Sequence, residues 1–199
     1  MPKAIDSFKA SMASNGYVVL SERTEAERVL NYLGPATAPV RLEARSQRDS
    51  KEWSHSGRYG LGTFPWHTDG AVSSSPPRWI LMRCLEDDSQ TPTELVNPTE
   101  ALLLQLRRVT LMVRNARNKV TYFPAVSPGA GGQSRLRWDP RIATPIRGQT
   151  DLVDRAEPTA RIFWSEDMTL VIDNYRVLHR RPQVADNAQR VLTRQYAGV

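Results

Sequence analysis

Two of the three histidines in this chain lie in segments whose residue types could bind a metal ion. His67 and Asp69 are separated by one residue, and His179 ends an apolar run that begins at Met168. If residues 64–70 form a strand, the two-residue period of strands places His67 and Asp69 on one face. A second strand would supply His179. Two imidazoles and one carboxylate leave one face of a metal open, which is the ligand pattern of non-haem Fe(II) oxygenases.

Length and composition set the broad class of protein. The chain has 199 residues, of which 40% are hydrophobic, so it can bury a core, and we expect residues 1–199 to form one domain. No apolar run reaches the length of a membrane span. The first residues lack the apolar centre of a signal peptide, which favours a cytoplasmic location. The single cysteine, Cys84, excludes an internal disulfide and cysteine-rich metal sites.

The chain is basic, with a formal net charge of +6, and 23 of its 27 basic residues are arginine. These arginines are scattered from Arg23 to Arg194 instead of forming one tract, so we do not expect a nucleic-acid partner. The pattern is typical of a solvated surface with a few anion-binding arginines. An acidic small molecule or an acidic carrier protein would suit the excess charge.

Helix and strand patterns predict a mainly β fold with flanking helices. Residues 1–35 indicate a helix–strand–helix scaffold, in which Ser21 is expected to cap the second helix, with Thr24 and Glu27 placed as a possible capping box. Many short strands follow without regular alternation with helices. A jelly roll, or double-stranded β-helix, fits this order, because its strand ends surround one open mouth where the three candidate ligands can meet.

Two further features bear on a site. In the strand predicted over 190–196, Arg190 and Arg194 lie on one face with Leu192, and a buried arginine is costly unless an anion meets it. His55 lies in a polar stretch and is either a substrate contact on a loop or simply solvated. The pattern of residues 107–160 is weak, which is typical of variable, substrate-facing segments.

Two segments carry a resemblance to a known family. The runs FPWHTDGAVSSSPPRWILMRC and LVIDNYRVLHRRPQ resemble the two metal segments of the Fe(II)/2-oxoglutarate-dependent dioxygenases of the taurine dioxygenase and clavaminate synthase group. The resemblance runs from about Ser56 to Arg194. It implies that His67, Asp69 and His179 are the metal ligands.

The resemblance also implies sites for a co-substrate. Arg190 follows His179 at the spacing at which the family binds the far carboxylate of 2-oxoglutarate, and Thr93 in TELVN matches a threonine that assists it. Thr91 is the alternative if the register differs. Arg194 matches an arginine close to co-substrate and substrate.

The implied activity uses Fe(II), 2-oxoglutarate and O2 to hydroxylate, desaturate or cyclise a small polar metabolite, such as an amino acid or a natural-product intermediate, free or bound to a carrier protein. Two alternatives stay open. One is a nucleic-acid demethylase of the same chemistry, which would show steeply salt-dependent binding. The other is a non-catalytic, cupin-like protein that binds metal without any response to 2-oxoglutarate.

Overall fold

The computed structural model describes residues 2–115, 117–129, 133–148 and 151–198, so parts of the expected substrate-facing segment lie outside the described residues. Within these ranges the fold is mainly β with flanking helices, as predicted. None of the described helices combines the length and apolar character needed to cross a bilayer. The helices are α1 (Pro2–Asn15), α2 (Arg23–Leu33), α3 (His55–Tyr59), α4 (Glu100–Leu106) and α5 (Asp151–Asp154). The strands are β1 (Tyr17–Leu20), β2 (Val40–Glu43), β3 (Trp79–Asp87), β4 (Thr93–Val96), β5 (Thr110–Arg114), β6 (Val120–Pro124), β7 (Val126–Pro128), β8 (Ser134–Leu136), β9 (Ala143–Arg147), β10 (Ala160–Ile162), β11 (Thr169–Asp173), β12 (Leu178–Arg180) and β13 (Arg190–Ala197).

The N-terminal helix–strand–helix segment forms as the sequence predicts, except at the start of α2. That helix begins at Arg23, and its N-cap residue is Glu22, whose side chain makes no capping hydrogen bond. The prediction of Ser21 as the cap was therefore wrong. The possible capping box of Thr24 and Glu27 does not form either, because Thr24 lies inside the helix and the Glu27 carboxylate binds the guanidinium of Arg23 over 2.9 Å.

A five-stranded antiparallel sheet forms the largest layer, in the order β1-β11-β3-β13-β2. The sequence of β3 is apolar on both faces because both are buried. Ile80, Met82 and Cys84 face one hydrophobic cluster, while Leu81 faces a second cluster that also contains residues of α1 and α2. The helices thus cover one face of this sheet.

The other face of the large sheet packs against a three-stranded sheet in the order β10-β4-β12. Leu95 of β4 is fully buried between the two sheets. The next residue, Val96, points the opposite way, into a core shared with α4 and β5. The described residues also form a three-stranded sheet, β6-β5-β9, and a two-stranded sheet, β7-β8.

A buried carboxylate ties the three-stranded sheet together. Glu94 of β4 accepts hydrogen bonds from Arg161 of β10 over 2.8 Å and from Arg180 of β12 over 2.6 Å. Both arginines lie directly opposite Glu94 in the strand register. These cross-strand pairs fix β12, and with it the neighbouring His179, against β4.

Two segments differ from the strands that the sequence suggests. The run 168–179 divides into β11 and β12, because the side chain of Asp173 accepts a hydrogen bond from the Tyr175 backbone N–H over 3.1 Å and closes a turn. Residues 64–70 form no continuous strand. His67 alone pairs with His179 through reciprocal backbone hydrogen bonds of 3.0 Å.

Candidate metal centre

The three candidate ligands from the two motif segments converge between the sheets. Oδ1 of Asp69 lies 3.9 Å from Nε2 of His67 and 3.8 Å from Nε2 of His179. The rings of the two histidines are 4.2 Å apart between centroids. All three side chains are buried, and one ligand atom from each lies within 4.8 Å of the others. This donor set and spacing fit one divalent cation.

Backbone contacts set the orientation of His67. Its Nδ1 lies 2.9 Å from the carbonyl oxygen of Pro65. Because a carbonyl oxygen only accepts, Nδ1 is the donor of this hydrogen bond, and Nε2 is the ring nitrogen that faces Asp69. A hydrogen bond of this kind to the non-ligating nitrogen is the usual support of a metal-binding histidine.

Burial keeps His179 in the form that binds metals. Burial and the nearby His67 lower the pKa of His179 to about 3, so its imidazole is neutral near neutral pH. Burial alone would raise the pKa of Asp69, but Arg194, His179 and His67 outweigh it and hold that pKa well below the usual range. A neutral imidazole at His179 and an ionised carboxylate at Asp69 are the protonation states that metal binding requires.

The two oxygens of Asp69 have different partners. Oδ1 faces the histidines, whereas Oδ2 accepts hydrogen bonds from Tyr196 Oη over 2.9 Å and Arg194 Nη1 over 3.1 Å. Sequence reasoning placed Arg194 near the substrate and missed Tyr196. The period-two pattern of the last strand could have placed Tyr196, two residues beyond Arg194, on the same face, but it gives no sign that either side chain contacts Asp69.

Asn174 fixes the backbone of Asp69. Its Oδ1 accepts from the Asp69 N–H over 2.8 Å, and its Nδ2 donates to the Asp69 carbonyl over 2.9 Å and to the Pro77 carbonyl over 2.8 Å. The side chain is almost completely buried. In the sequence Asn174 stands only within the run LVIDNYRVLHRRPQ, which gives no indication of this contact.

Arg190 is buried and lines the same cavity as the three candidate ligands. Its Nη2 donates to Oγ1 of Thr93 over 3.0 Å, and that oxygen also accepts from Trp164 Nε1 over 3.1 Å. Burial lowers the pKa of Arg190 to about 10, although the negative charge of Asp87 opposes the shift. Among the described residues no carboxylate forms an ion pair with Arg190, and its Nε has no hydrogen-bond partner.

The two threonine candidates have different surroundings. Thr93 lines the same cavity as the three candidate ligands. The hydroxyl of Thr91 lies instead 3.3 Å from the backbone carbonyl oxygens of Ser89 and Gln183, and it can donate its one proton to either. The structure thus brings Thr93, and not Thr91, to Arg190.

His55 reaches the site from α3. Its ring centroid lies 4.0 Å from that of His67, and its Nε2 lies 3.6 Å from Oδ1 of Asp139. Burial and the neighbouring His67 lower the pKa of His55 well below its usual value. Asp139 also binds Arg141 over 2.9 Å, so a residue pair from the segment 107–160 approaches the candidate metal centre.

A cavity of about 540 Å³ connects these groups. Its lining includes the three candidate ligands, Arg190, Thr93, Arg194 and His55. Such a volume suits a small molecule together with a small co-substrate.

Comparison with known proteins places the fold. No protein-family model matches the chain, and no curated protein matches its sequence. Solved structures do match. A taurine dioxygenase from Burkholderia xenovorans is similar over 99% of this chain and 82% of its own, with 17% identity and a TM-score of 0.69. An asparagine oxygenase, solved with Fe(II), hydroxyasparagine and succinate, is similar over 98% of this chain and 78% of its own, with 12% identity and a TM-score of 0.71.

A third similar structure is PvcB from Pseudomonas aeruginosa, which covers 98% of this chain and 80% of its own, with 16% identity and a TM-score of 0.66. PvcB is an Fe, alpha-ketoglutarate dependent oxygenase from an isonitrile synthetic pathway. The resemblance seen in the two sequence motifs is therefore confirmed at the level of the fold: the chain has the fold of taurine dioxygenase and related oxygenases.

Proposed function

We propose that the chain is an Fe(II)/2-oxoglutarate-dependent oxygenase that hydroxylates, desaturates or cyclises an unactivated C–H of a small polar metabolite. One observation carries the proposal. The cavity holds a buried His–Asp–His cluster together with a buried arginine, Arg190, that lacks a carboxylate partner in the described part of the chain. A buried positive charge without a counter-ion favours an anionic ligand.

The residues that would hold the metal are His67, Asp69 and His179, since their ligand atoms converge. The Pro65 carbonyl orients His67, and the ion pair with Arg194 orients Asp69. Bound there, Fe(II) would support oxidative decarboxylation of 2-oxoglutarate to succinate and CO2, coupled to oxidation of the substrate by O2. Arg190 would bind the far carboxylate of 2-oxoglutarate, and the hydroxyl of Thr93 would support Arg190 or that carboxylate.

The packing of β13 and β3 against β4 and β12, with the candidate site between them, supports a double-stranded β-helix core. We assign residues 1–35 to a scaffold that covers one face of the large sheet. We assign 107–160 to the substrate side, because Asp139 and Arg141 line the cavity. On this proposal the whole chain acts as one oxygenase domain.

The cavity and the similar structures support a class of substrate to test first. The asparagine oxygenase complex contains a hydroxylated amino acid, so an amino acid or a related small metabolite is the first class to test. Arg194 and His55 are proposed substrate neighbours because both line the cavity. Arginines at the cavity also suit an acidic substrate, free or attached to a carrier protein.

The proposal is tested by succinate formation. Protein loaded with Fe(II) in air should convert 2-oxoglutarate to succinate slowly without substrate, and a member of a panel of amino acids, short peptides and carrier-bound acyl groups should accelerate it. Arg155→Ala, at an exposed position, should match the wild type. Absence of succinate with every panel member, with Fe(II) bound, would contradict the assigned reaction.

A further inference from the structure

The carboxylate of Asp69 is held by two side chains from one strand. Tyr196 Oη and Arg194 Nη1 both donate to Oδ2, over 2.9 Å and 3.1 Å. Arg194 and Tyr196 are two residues apart in β13, so their side chains leave the same face of the large sheet. The Arg194 guanidinium also lies 5.0 Å from the centre of the Tyr196 ring.

These contacts leave the other oxygen available. Oδ1 points towards Nε2 of both histidines, at 3.9 Å and 3.8 Å, while the lone pairs of Oδ2 are directed at the two donors. An ionised carboxylate can ligate a metal through one oxygen or through both. With Oδ2 bound by two donors, ligation through Oδ1 alone is favoured.

We propose that Tyr196 is a positioning residue which, with Arg194, restricts Asp69 to single-oxygen ligation of the metal. The inference rests on the proposed function, because it requires a metal at the His–Asp–His cluster. Single-oxygen ligation matters for the co-substrate. Three protein ligand atoms would leave the remaining positions of the cation for 2-oxoglutarate and O2. A second Asp69 oxygen would occupy one of these.

The role of Tyr196 differs from that of Arg194 in charge. Removing Arg194 would change two things at once, the orientation of the Asp69 carboxylate and the electrostatic repulsion between the guanidinium and the bound cation. Tyr196→Phe removes only one hydroxyl and keeps the ring, whose packing belongs to the core between the sheets. It is therefore the cleaner test of carboxylate orientation.

The experiment uses the full chain with Co(II) in place of Fe(II), since Co(II) gives visible bands that depend on coordination geometry. Co(II) is titrated first, and 2-oxoglutarate is then titrated into the saturated protein. For Tyr196→Phe we expect an altered Co(II) spectrum at saturation and roughly tenfold weaker 2-oxoglutarate binding, as for other outer-sphere partners of metal ligands. Tyr122→Phe, whose ring is exposed on β6, is the matched control and should resemble the wild type.

The outcomes separate the two proposals. A Tyr196→Phe variant with the wild-type spectrum and wild-type 2-oxoglutarate affinity overturns the positioning role, even if its unfolding temperature falls. Failure of the wild-type protein to bind Co(II) and 2-oxoglutarate overturns the proposed function itself. If Tyr196→Phe does not fold, Arg194→Lys, which keeps the charge but shortens the reach, should show the altered spectrum, and an unchanged spectrum there contradicts the inference.

Discussion

Arg190 of β13 donates a hydrogen bond to Thr93 of β4 over 3.0 Å, and this contact joins the two sheets that enclose the candidate metal centre. A second bond to the same hydroxyl oxygen, from Trp164, fixes its direction. The arginine is therefore held in place before any ligand binds. Such preorganisation reduces the entropic cost of ordering a side chain around an anion.

Replacing Arg190 by alanine should weaken 2-oxoglutarate binding far more than metal binding. The guanidinium would contact only the far carboxylate, and a hydrogen bond to a charged group contributes about 1.5–3 kcal/mol, or roughly 10- to 100-fold in affinity. Calorimetric titration of Mn(II), followed by 2-oxoglutarate, measures both constants. The exposed Arg155→Ala is the control. Equal losses of the two affinities would argue against an anchor at Arg190.

The exchange of Thr93 for valine keeps the shape of the side chain but removes the acceptor for Arg190 and Trp164. Leaving buried donors without a partner costs about 1–3 kcal/mol, so the free energy of unfolding should fall by that amount and 2-oxoglutarate affinity should fall with it. Thr91→Val is the matched variant, because its hydroxyl contacts only backbone carbonyls away from Arg190. Loss of 2-oxoglutarate affinity in Thr91→Val alone would reassign the threonine.

Asn174→Ala should loosen Asp69 without touching the metal directly. It removes the hydrogen bonds to the Asp69 N–H and carbonyl, and we expect metal affinity to fall by roughly 10- to 100-fold. Titration with Mn(II), monitored by electron paramagnetic resonance, gives this affinity. Asn97→Ala, which loses only a 3.4 Å contact to a carbonyl, should bind metal normally. Wild-type metal affinity in Asn174→Ala would show that the hydrogen bonds from Asn174 to the Asp69 backbone are not needed for metal binding.

The metal-free protein should lose stability as pH falls. The pKa of His179 is about 3 in the folded chain and 6.5 ordinarily, so below about pH 6.5 the unfolded chain takes up a proton that the folded chain does not. The contribution of His179 to the free energy of unfolding is therefore complete above about pH 6.5, and it decreases as the pH falls towards about 3. The slope is about 1.4 kcal/mol per pH unit for each such histidine.

Urea unfolding of the metal-free protein at about pH 6 and pH 5 measures this slope. His55 is also shifted downward and adds to it in the same direction. His179→Gln should therefore reduce the slope by about 1.4 kcal/mol per pH unit, the effect of one bound proton. The part of the slope that is due to His55 should remain. A slope unchanged by His179→Gln would mean that His179 is already protonated in the folded protein.

The parts of the site that the sequence predicts are local in the chain or follow a simple period. The His67–Asp69 spacing indicates a shared direction even though only His67 pairs as a strand residue, and the alternation in β13 indicates that Arg190 and Arg194 share a face. Apolar residues on both faces of β3 agree with its burial on both sides in the five-stranded sheet.

The contacts that the sequence does not predict join residues far apart in the chain. Asn174 reaches Asp69 across 105 positions and Tyr196 across 127, and both contacts depend on how the sheets pack. Arg194 forms an ion pair with Asp69, which spacing alone cannot reveal. Ser21 failed as a predicted cap because a capping pattern does not identify the residue at which the helix begins.

We expect one cation and 2-oxoglutarate to bind together at His67, Asp69 and His179. Anaerobic addition of Fe(II) and 2-oxoglutarate reveals such binding, since the chelate has a weak visible charge-transfer band. We predict this band in the wild-type protein and its loss in His179→Ala. No band in the intact, folded protein, or a band that persists in His179→Ala, would show that the cation and 2-oxoglutarate do not bind together at these three residues.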